Sequence, residues 1–391
     1  MTSVFLYNII NGLQNREMGQ VIVLKALKFI KKNIVFCIAA MAAFVTCFLV
    51  PPDRAYIDYF DFKTLSCLFI TLAVVCALRN IKFFTILARK LVAIAGNLRS
   101  LFLLLIVITF IGSMIIANDM ALITFLPLGY FALSVTKQEK YSAYLFVLQN
   151  ISANLGGMLT PFGNPQNLYL YSYFNIPTGE FCKIMLPSFL VAILLLVLFC
   201  IPVKSVKFTL DNDFAEKLNI KKTILYGALF LLSVLIVFRV IPFMAGLIVI
   251  PAILFIADKN SLKMVDYSLL GTFFFFFIFA GNLSRLSAVN EIISSLLEKD
   301  TLLVSVISCQ FISNVPTAIL LSKFTENFAP LLLGVNIGGT GTLIASLASL
   351  ITFSEFKLLY PGQTKKYLFI FAFLNGVFLI ILTVFAKVFT N

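Results

Sequence analysis

The chain has 391 residues, of which 61% are hydrophobic and 12% are charged, and its mean hydropathy is +1.03. Soluble domains carry a charged fraction of about 25%, so this composition excludes a soluble globular protein and predicts an integral membrane protein. The net charge of +13 is expected when Lys and Arg concentrate in cytoplasmic loops. It does not call for a nucleic-acid partner.

The residue types that are missing narrow the chemistry. The sequence contains no His, and its seven Cys are scattered without a CxxC pair. Catalysis by His, metal binding by His and a disulfide framework are therefore not expected, and we predict neither a metal site nor a cofactor. No Walker-type phosphate-binding motif occurs, so ATP hydrolysis has no support. The sequence favours a membrane protein that is not an enzyme.

Residues 1–33 are predicted to be a cytoplasmic lead-in, because several Lys precede the first apolar run. Spans are expected at about 34–50 and 64–78, where the apolar runs approach the length that crosses a bilayer as a helix. A basic segment from Arg79 to Arg99 follows and is placed in the cytoplasm. These elements open a first membrane repeat at residues 34–206.

The apolar stretch at 101–136 is too long for one span at about 1.5 Å per residue. It is interrupted at Asn118-Asp119 and is bounded by Arg99 and Lys137. Both ends therefore favour the cytoplasm, and we predict a helical hairpin.

A broken helix and one more span complete the first repeat. The helix begins near residue 141 and is interrupted between Gly156 and Asn167. The span is expected at about 184–203. A polar cytoplasmic linker is then predicted at 207–222 and a connecting span at 223–240. Arg239, at the end of that span, is interpreted as a charge that reaches the interface.

The second membrane repeat is predicted at residues 241–391. Its outer loop is expected to hold Glu291 and Glu298, and Arg285 just before that loop is interpreted as a flanking charge. The next run, 302–313, is about 18 Å long as a helix, which is too short to cross, so we predict the first arm of a re-entrant hairpin. A helix broken around Gly338–Ser349 follows. Three spans complete this repeat, at about 242–257, 268–282 and 367–388.

Counted from a cytoplasmic N-terminus, the first hairpin opens to the cytoplasm and the second to the outside. The two repeats thus have inverted topology. The predicted fold is an all-α integral membrane protein with about 9–11 transmembrane helices, in which each repeat has one helical hairpin and one broken helix. Paired interruptions of this kind indicate the binding site of a secondary transporter.

The two broken helices carry versions of one motif. Residues 154–160 read NLGGMLT and residues 336–342 read NIGGTGT. Glycine pairs permit a close backbone approach, and side chains that follow a break lie near a helix N-terminus, where unpaired N–H groups favour an anion. We therefore expect substrate contacts from the polar residues after the breaks, which are Thr160, Asn164, Asn167, Thr342, Ser346 and Ser349.

The hairpin tips supply the other candidates. Asn118 and Asn314 occupy equivalent interruptions; a single such Asn could merely satisfy the broken backbone, but the recurrence favours a site, with Thr317 beside it. Asp119 lies deep in an apolar run, which predicts a proton or cation site. The alternative is that the hairpin crosses fully and Asp119 caps the returning helix. The expected coupling-ion site comprises Asp119, Asn118, Gly156, Asn314 and Gly338.

These motifs resemble those of the ion transporter superfamily, which includes arsenite/antimonite permeases, citrate-transporter-like proteins, NhaD-type sodium/proton antiporters and divalent-anion/sodium symporters. The resemblance is carried by the tips at 117–122 and 314–317 and by residues 163–168 and 339–350. It is closest to the arsenite-permease and citrate-transporter-like branch.

The resemblance implies re-entrant hairpins that hold substrate and coupling ion, an elevator-like movement, and often a homodimer. In the symporter branch the tips carry Ser-Asn-Thr, whereas here they read Ala117-Asn118-Asp119 and Ser313-Asn314-Val315. Proton coupling through Asp119 is therefore a rival to Na+ coupling.

The expected function is that of a secondary active transporter in the plasma (inner) membrane, multi-pass with a cytoplasmic N-terminus. It would move a small anion or oxyanion, carboxylate- or arsenite-like, by alternating access coupled to H+ or Na+. Its expected partners are this solute and the lipid bilayer. The alternatives are a cation/proton antiporter and the membrane subunit of a pump or a channel.

Overall fold

The structure is a computed structural model that describes residues 29–30, 33–207 and 218–390. Most of the predicted lead-in at 1–33 and most of the predicted linker at 207–222 lie outside the described residues.

The first half is helical, and its breaks fall where the sequence predicts them. Asp61 starts the second helix by accepting a hydrogen bond from the backbone N–H of Thr64 at 2.9 Å, and Asn97 forms a capping box with Ser100. The helices are α1 Ile34–Leu49, α2 Phe62–Asn80, α3 Phe83–Val92, α4 Leu98–Ile116, α5 Asn118–Val135, α6 Ser142–Gly156, α7 Pro165–Tyr173 and α8 Thr178–Cys200.

The second half repeats this order after a connecting helix. Its helices are α9 Ile220–Val237, α10 Phe243–Ala257, α11 Lys259–Lys263, α12 Tyr267–Ser284, α13 Ser287–Ile312, α14 Asn314–Leu321, α15 Phe328–Ile337, α16 Leu347–Leu359 and α17 Thr364–Thr390.

One predicted loop is a helix. The segment with Glu291 and Glu298 forms the first part of α13, which contains no Pro or Gly to interrupt it. The backbone leaves the helical conformation at Asp300, with φ −163° and ψ 87°. This kink separates the surface part of α13 from its second part, residues 301–312, which is the first arm of the predicted hairpin.

The lengths and surfaces of the helices fit a bilayer and confirm the all-α membrane fold. Among the described residues, seven helices are long and apolar enough to cross: α2, α4, α5, α8, α9, α12 and α17. The apolar helices α1 and α10 are shorter. Large apolar side chains such as Phe48, Ile248 and Phe369 are more than 70% exposed, as expected for a surface that faces acyl chains rather than water.

The two repeats pack against each other in a reciprocal pattern. Helix α1 of the first repeat packs on α12 of the second, and α10 of the second packs on α2 of the first. The first arm of each hairpin lies on the broken helix of its own repeat, α4 on α6 and α13 on α15. Each returning arm crosses over, so that α5 packs on α16 and α14 on α7. This exchange brings both hairpin tips to both helix breaks.

Candidate functional site

The tips of the two hairpins have the same strained backbone. Ala117 has φ 65° and ψ 153°, and its counterpart Ser313 has φ 74° and ψ 159°. This region of backbone space is occupied almost only by glycine. At each tip the next residue is Asn, and its amide oxygen accepts from the following backbone N–H at 2.9 Å, in Asn118 and in Asn314 alike. The side-chain amide nitrogen of each Asn is thereby free to reach other elements.

Asn154, the first residue of the NLGGMLT motif, joins the first tip to the second broken helix. Its Oδ1 accepts from Nδ2 of Asn118 at 3.1 Å and from Oγ of Ser346 at 2.8 Å. Ser346 is the N-cap residue of α16, where its hydroxyl also accepts from the N–H of Ala348. One amide therefore links both repeats.

Asn336, the first residue of the second motif, makes the matching links. Its Oδ1 accepts from Nδ2 of Asn164 at 3.2 Å, and its Nδ2 donates to Oδ1 of Asn167 at 2.5 Å. Asn164 is the N-cap residue of α7, as Ser346 is of α16. The pair Asn336–Asn164 thus repeats the pair Asn154–Ser346 with the roles of the repeats exchanged.

We call these six residues the amide centre: Asn118, Asn154, Asn164, Asn167, Asn336 and Ser346. Each is at most 6% exposed. The second tip adjoins the centre, because Oγ of Ser313 donates to the carbonyl of Ala345 at 3.3 Å, one residue before Ser346. The centre contains only amides and one hydroxyl, and it carries no formal charge.

Several polar atoms of the centre have no hydrogen-bond partner among the described residues although they are fully buried. They are Nδ2 of Asn154 and Oδ1 of Asn164, together with Oε1 of the adjoining Gln166. Buried polar atoms in folded proteins are nearly always paired. A donor and two acceptors are therefore available to a solute.

Other predicted substrate residues tie the breaks to the hairpins. The hydroxyl of Thr160 donates to the carbonyl of Met114 at 2.7 Å, and that of Thr342 donates to the carbonyl of Gln310 at 3.0 Å. These bonds are equivalents in the two repeats, and each reaches the first arm of the hairpin. Thr317 donates to the carbonyl of Ser313, one turn earlier in its own helix.

Ser349 lies one turn beyond the centre in α16. Its Oγ accepts from Nδ2 of Asn150 at 3.2 Å, and Thr352 donates to Oδ1 of the same amide. This second polar layer also joins the two repeats, since Asn150 is in α6.

The predicted glycines are points of close packing. A Cβ at Gly156 would collide with the carbonyl of Phe110 and the hydroxyl of Ser113 in the first hairpin. A Cβ at Gly338 would come within 2.8 Å of Cβ of Cys309 in the second. Both residues have ordinary helical φ, near −64°, so the requirement is for space rather than for a positive φ.

Of the predicted residues, the structure places Asn118, Asn164, Asn167 and Ser346 in the amide centre, whereas the side chain of Asp119 lies apart from it. The Asp119 side chain is 5% exposed, and its Oδ1 has no hydrogen-bond partner among the described residues. The side chain lines a small cavity with residues of α2. Conversely, Asn154 and Asn336 were missing from the predicted set. Their signal was in the sequence, since each is the first residue of the recurring motif.

Inverted repeats whose hairpin tips and helix breaks meet at a buried polar centre define a membrane transporter. Comparison with known proteins identifies the family of this transporter. The family profile CitMHS, described as citrate transporter, matches residues 21–333. The chain belongs to this family.

Individual relatives agree with the class. The chain is 34% identical over 332 residues to an uncharacterized transporter of Methanocaldococcus jannaschii, covering 84% of this chain and 90% of that protein. It is 28% identical over 281 residues to the inner membrane protein YbiR of Escherichia coli, covering 69% and 73%. Over 155 residues it is 32% identical to a silicon efflux transporter of Oryza sativa subsp. japonica, covering 39% of this chain and 31% of that protein.

Proposed function

We propose that the protein is a secondary active transporter of the plasma (inner) membrane, with a cytoplasmic N-terminus, that moves a small anion or oxyanion by alternating access. The observation that carries this proposal is the amide centre, which both repeats build at their interruptions. All six of its residues are nearly inaccessible to solvent. A solute held there can leave only if the surrounding elements move, which favours alternating access over an open pore.

The chemistry of the centre favours a weakly acidic oxyacid, such as arsenite or silicic acid, as the substrate. Such solutes are largely protonated at neutral pH and present both O–H donors and oxygen acceptors. The unpartnered atoms of Asn154, Asn164 and Gln166 offer matching groups. A fully ionised tricarboxylate would place several charges among neutral amides, and burying unpaired charge is costly.

The family description and the name of one relative indicate different substrates. The silicon efflux transporter agrees with an oxyacid, whereas the family description names citrate. Asn164 and Ser346 are the N-cap residues of α7 and α16. The partial positive charge of these helix N-termini is available to the oxygen atoms of either solute. The proposed substrate-binding residues are those predicted from the sequence, together with Asn154 and Asn336. The proposed assembly is the homodimer that the resemblance implies.

Transport into proteoliposomes tests the proposal. Purified full-length protein would be given citrate, arsenite or silicic acid, with a pH gradient and a Na+ gradient imposed in separate experiments. We expect one of the two oxyacids to be moved against its own gradient at the expense of one of these ion gradients. Asn154→Ala should lower the rate about tenfold, because it leaves Asn118 and Ser346 without their buried acceptor, at a cost of about 1–3 kcal/mol.

The matched control is Asn375→Ala. Asn375 is also fully buried, but its amide donates to the carbonyl of Phe371 within its own helix, away from the centre. Because Asn375 shares no hydrogen-bond partner with the centre, its substitution should leave the transport rate within about twofold of the wild-type rate. Uphill movement of citrate alone would refute the oxyacid assignment, and failure of all three solutes would refute anion transport.

A second candidate, a cation/proton antiporter, has one specific observation in its favour. Two of the unpartnered atoms, Oδ1 of Asn164 and Oε1 of Gln166, are amide oxygens, which bind hard cations. Exchange of Na+ or Li+ for H+ by proteoliposomes that move no anion would favour this function instead.

A further inference from the structure

A small cavity lies between the first hairpin tip and helix α2. Its volume is about 20 Å³, and its lining includes Thr71 and Leu72 of α2, Ala117 and Asp119 at the tip, and Pro165 at the start of α7. None of the six residues of the amide centre lines it. The cavity is therefore a separate compartment on the boundary between the hairpin and α2.

Two polar atoms in this cavity have no partner among the described residues. They are Oδ1 of Asp119 and Oγ1 of Thr71, both fully buried, in side chains that are 5% and 8% exposed. The rest of the lining is apolar, with side chains such as Val75, Ile116 and Leu168. A cavity of about 15 Å³ or more with polar partners has room for one water molecule.

We propose that this cavity is the proton-binding site of the transporter, in which one water molecule bridges Thr71 and Asp119 and the proton is carried on the Asp119 carboxylate. This inference rests on the proposed function and names its coupling ion. A metal cation in this cavity would have two side chains with oxygen atoms, Thr71 and Asp119, in an otherwise apolar lining. These ligands would not compensate for the loss of its hydration shell. A proton removes the buried charge instead, so that the group fits the cavity in its neutral form.

Two features of the structure act on a charge at Asp119 in opposite directions. The residue lies in the first turn of α5, where the helix N-terminus stabilises a negative charge. The apolar lining of the cavity opposes that charge, because burying an unpaired carboxylate is costly. Arg79 of α2 is close by, because its guanidinium donates to Sδ of Met120 at 3.7 Å.

The other titratable groups are on the elements packed around α5, on the facing helix α2 and at the start of α12. They include Lys63, Cys67 and Cys76 of α2, Arg89 and Lys90 of α3, Arg99 of α4, Tyr144 of α6, Asp266 at the start of α12, Glu355 and Lys357 of α16, and Glu139, Lys140 and Tyr141 before α6.

The location suggests how protonation controls movement. A charged Asp119 is stabilised by water and polar groups at the contact with α2, and movement away from them costs free energy. A neutral Asp119 can move along the apolar surface of α2 without this cost. Loading a proton would thus release the first hairpin from α2. Because the first hairpin also supplies Asn118 to the amide centre, release would move the substrate and the proton together.

The first measurement follows the proton without transport. Infrared difference spectroscopy on the full chain in liposomes, titrated with acid, should show a protonated carboxyl band that disappears in Asp119→Asn. In Thr71→Val, which keeps the side-chain shape, the band should shift because the bridging water loses one partner. Ser66→Ala, on α2 outside the cavity, should change nothing.

The second measurement is transport driven by a pH gradient. Asp119→Asn should lower uphill uptake at least tenfold, while exchange of labelled for unlabelled solute continues and shows that the variant is folded. An unchanged carboxyl band in Asp119→Asn, or uphill uptake that follows Na+ rather than pH, would overturn the proton site. A wild-type protein that moves no solute but retains the titrating band would instead overturn the proposed function and leave the proton site supported.

Discussion

Asn154 and Asn336 hold the amide centre together from the ends of α6 and α15. Each places one amide between the two repeats, and each accepts from the N-cap residue of the opposite broken helix, Ser346 or Asn164. An amide can donate and accept at once, so one side chain can serve partners from two directions. An ionised Asp of similar size could only accept hydrogen bonds, and a Leu could neither donate nor accept them.

This arrangement predicts a stability cost for Asn336→Ala. The substitution leaves Nδ2 of Asn164 and Oδ1 of Asn167 buried without this partner, which should lower the free energy of unfolding by about 3 kcal/mol. Unfolding can be followed in mixed micelles by the reaction of buried free thiols, such as those of Cys76 and Cys309, with a fluorescent dye.

A double-mutant cycle with Asn164→Ala makes this prediction specific. The two residues contact each other, so their effects should depart from additivity by about 1 kcal/mol. Asn375→Ala removes a buried amide that bonds only within its own helix and should cost about 1 kcal/mol. Strict additivity, or equal losses for Asn336 and Asn375, would contradict the role of Asn336 as a link between repeats.

The same residues show what the sequence could reveal at this scale. The recurring motif identified the breaks correctly, because glycine pairs within apolar runs are unusual enough to stand out. The role of Thr160 and Thr342 as tethers could not be predicted, since their partners are backbone carbonyls of Met114 and Gln310. Every residue has a carbonyl group, so the sequence does not mark which one is used.

At the scale of elements, the hairpin tips store backbone strain. Ala117 and Ser313 adopt a conformation with positive φ that costs a non-glycine residue about 1–3 kcal/mol. The surrounding packing maintains it, because each tip is fixed between the first arm on its own repeat and the returning arm on the other. Strain of this kind favours elements that change conformation in function.

Relief of this strain should stabilise the protein. Ala117→Gly removes the steric conflict, and after the entropic cost of glycine of about 1 kcal/mol it should raise the free energy of unfolding by up to about 1 kcal/mol. Ala121→Gly, four residues later within α5, is the control and should lower it by about 1 kcal/mol. The dye-reaction assay measures both, and equal destabilisation by the two variants would show that the tip is not strained.

The elements themselves were largely predictable, and the misses have physical causes. Long apolar runs with Asn, Gly or Pro at the interruptions mark spans, tips and breaks, because each interruption removes a helical hydrogen bond. The sequence predicts a loop around Glu291 and Glu298, where the structure has a helix, because polar residues resemble a loop when only hydropathy is considered. The crossing of α5 onto α16 and of α14 onto α7 depends on tertiary packing, which periodicity within one helix does not encode.

At the scale of the whole molecule, the repeats are joined outside the apolar interior as well as at the centre. Arg285, after α12, donates to Oδ1 of Asp53 at 3.1 Å and to Oδ2 at 2.7 Å. It also donates to the hydroxyl of Tyr59 at 3.1 Å. The sequence interpretation of Arg285 as a flanking charge omitted this partner, because Asp53 is 232 positions away.

This ion pair predicts an acid dependence of stability. The hydrogen bonds from Arg285 lower the pKa of Asp53 from its ordinary value of 3.8. A carboxyl group whose pKa is lowered in the folded state stabilises that state above its ordinary pKa, and the contribution is lost as the pH falls through the lowered value. Arg285→Gln should therefore be less stable than the wild type at neutral pH, and the two should converge in strong acid.

The difference at neutral pH should be small, and smaller than that for Asn336→Ala, because exposed ion pairs are solvated and screened. It should shrink further in concentrated salt. Arg54→Gln removes an equal charge from the residue next to Asp53 and is the control. A wild type and an Arg285→Gln protein that differ by the same amount at every pH would mean that packing against Tyr59, and not the charge of Asp53, connects the repeats on this side.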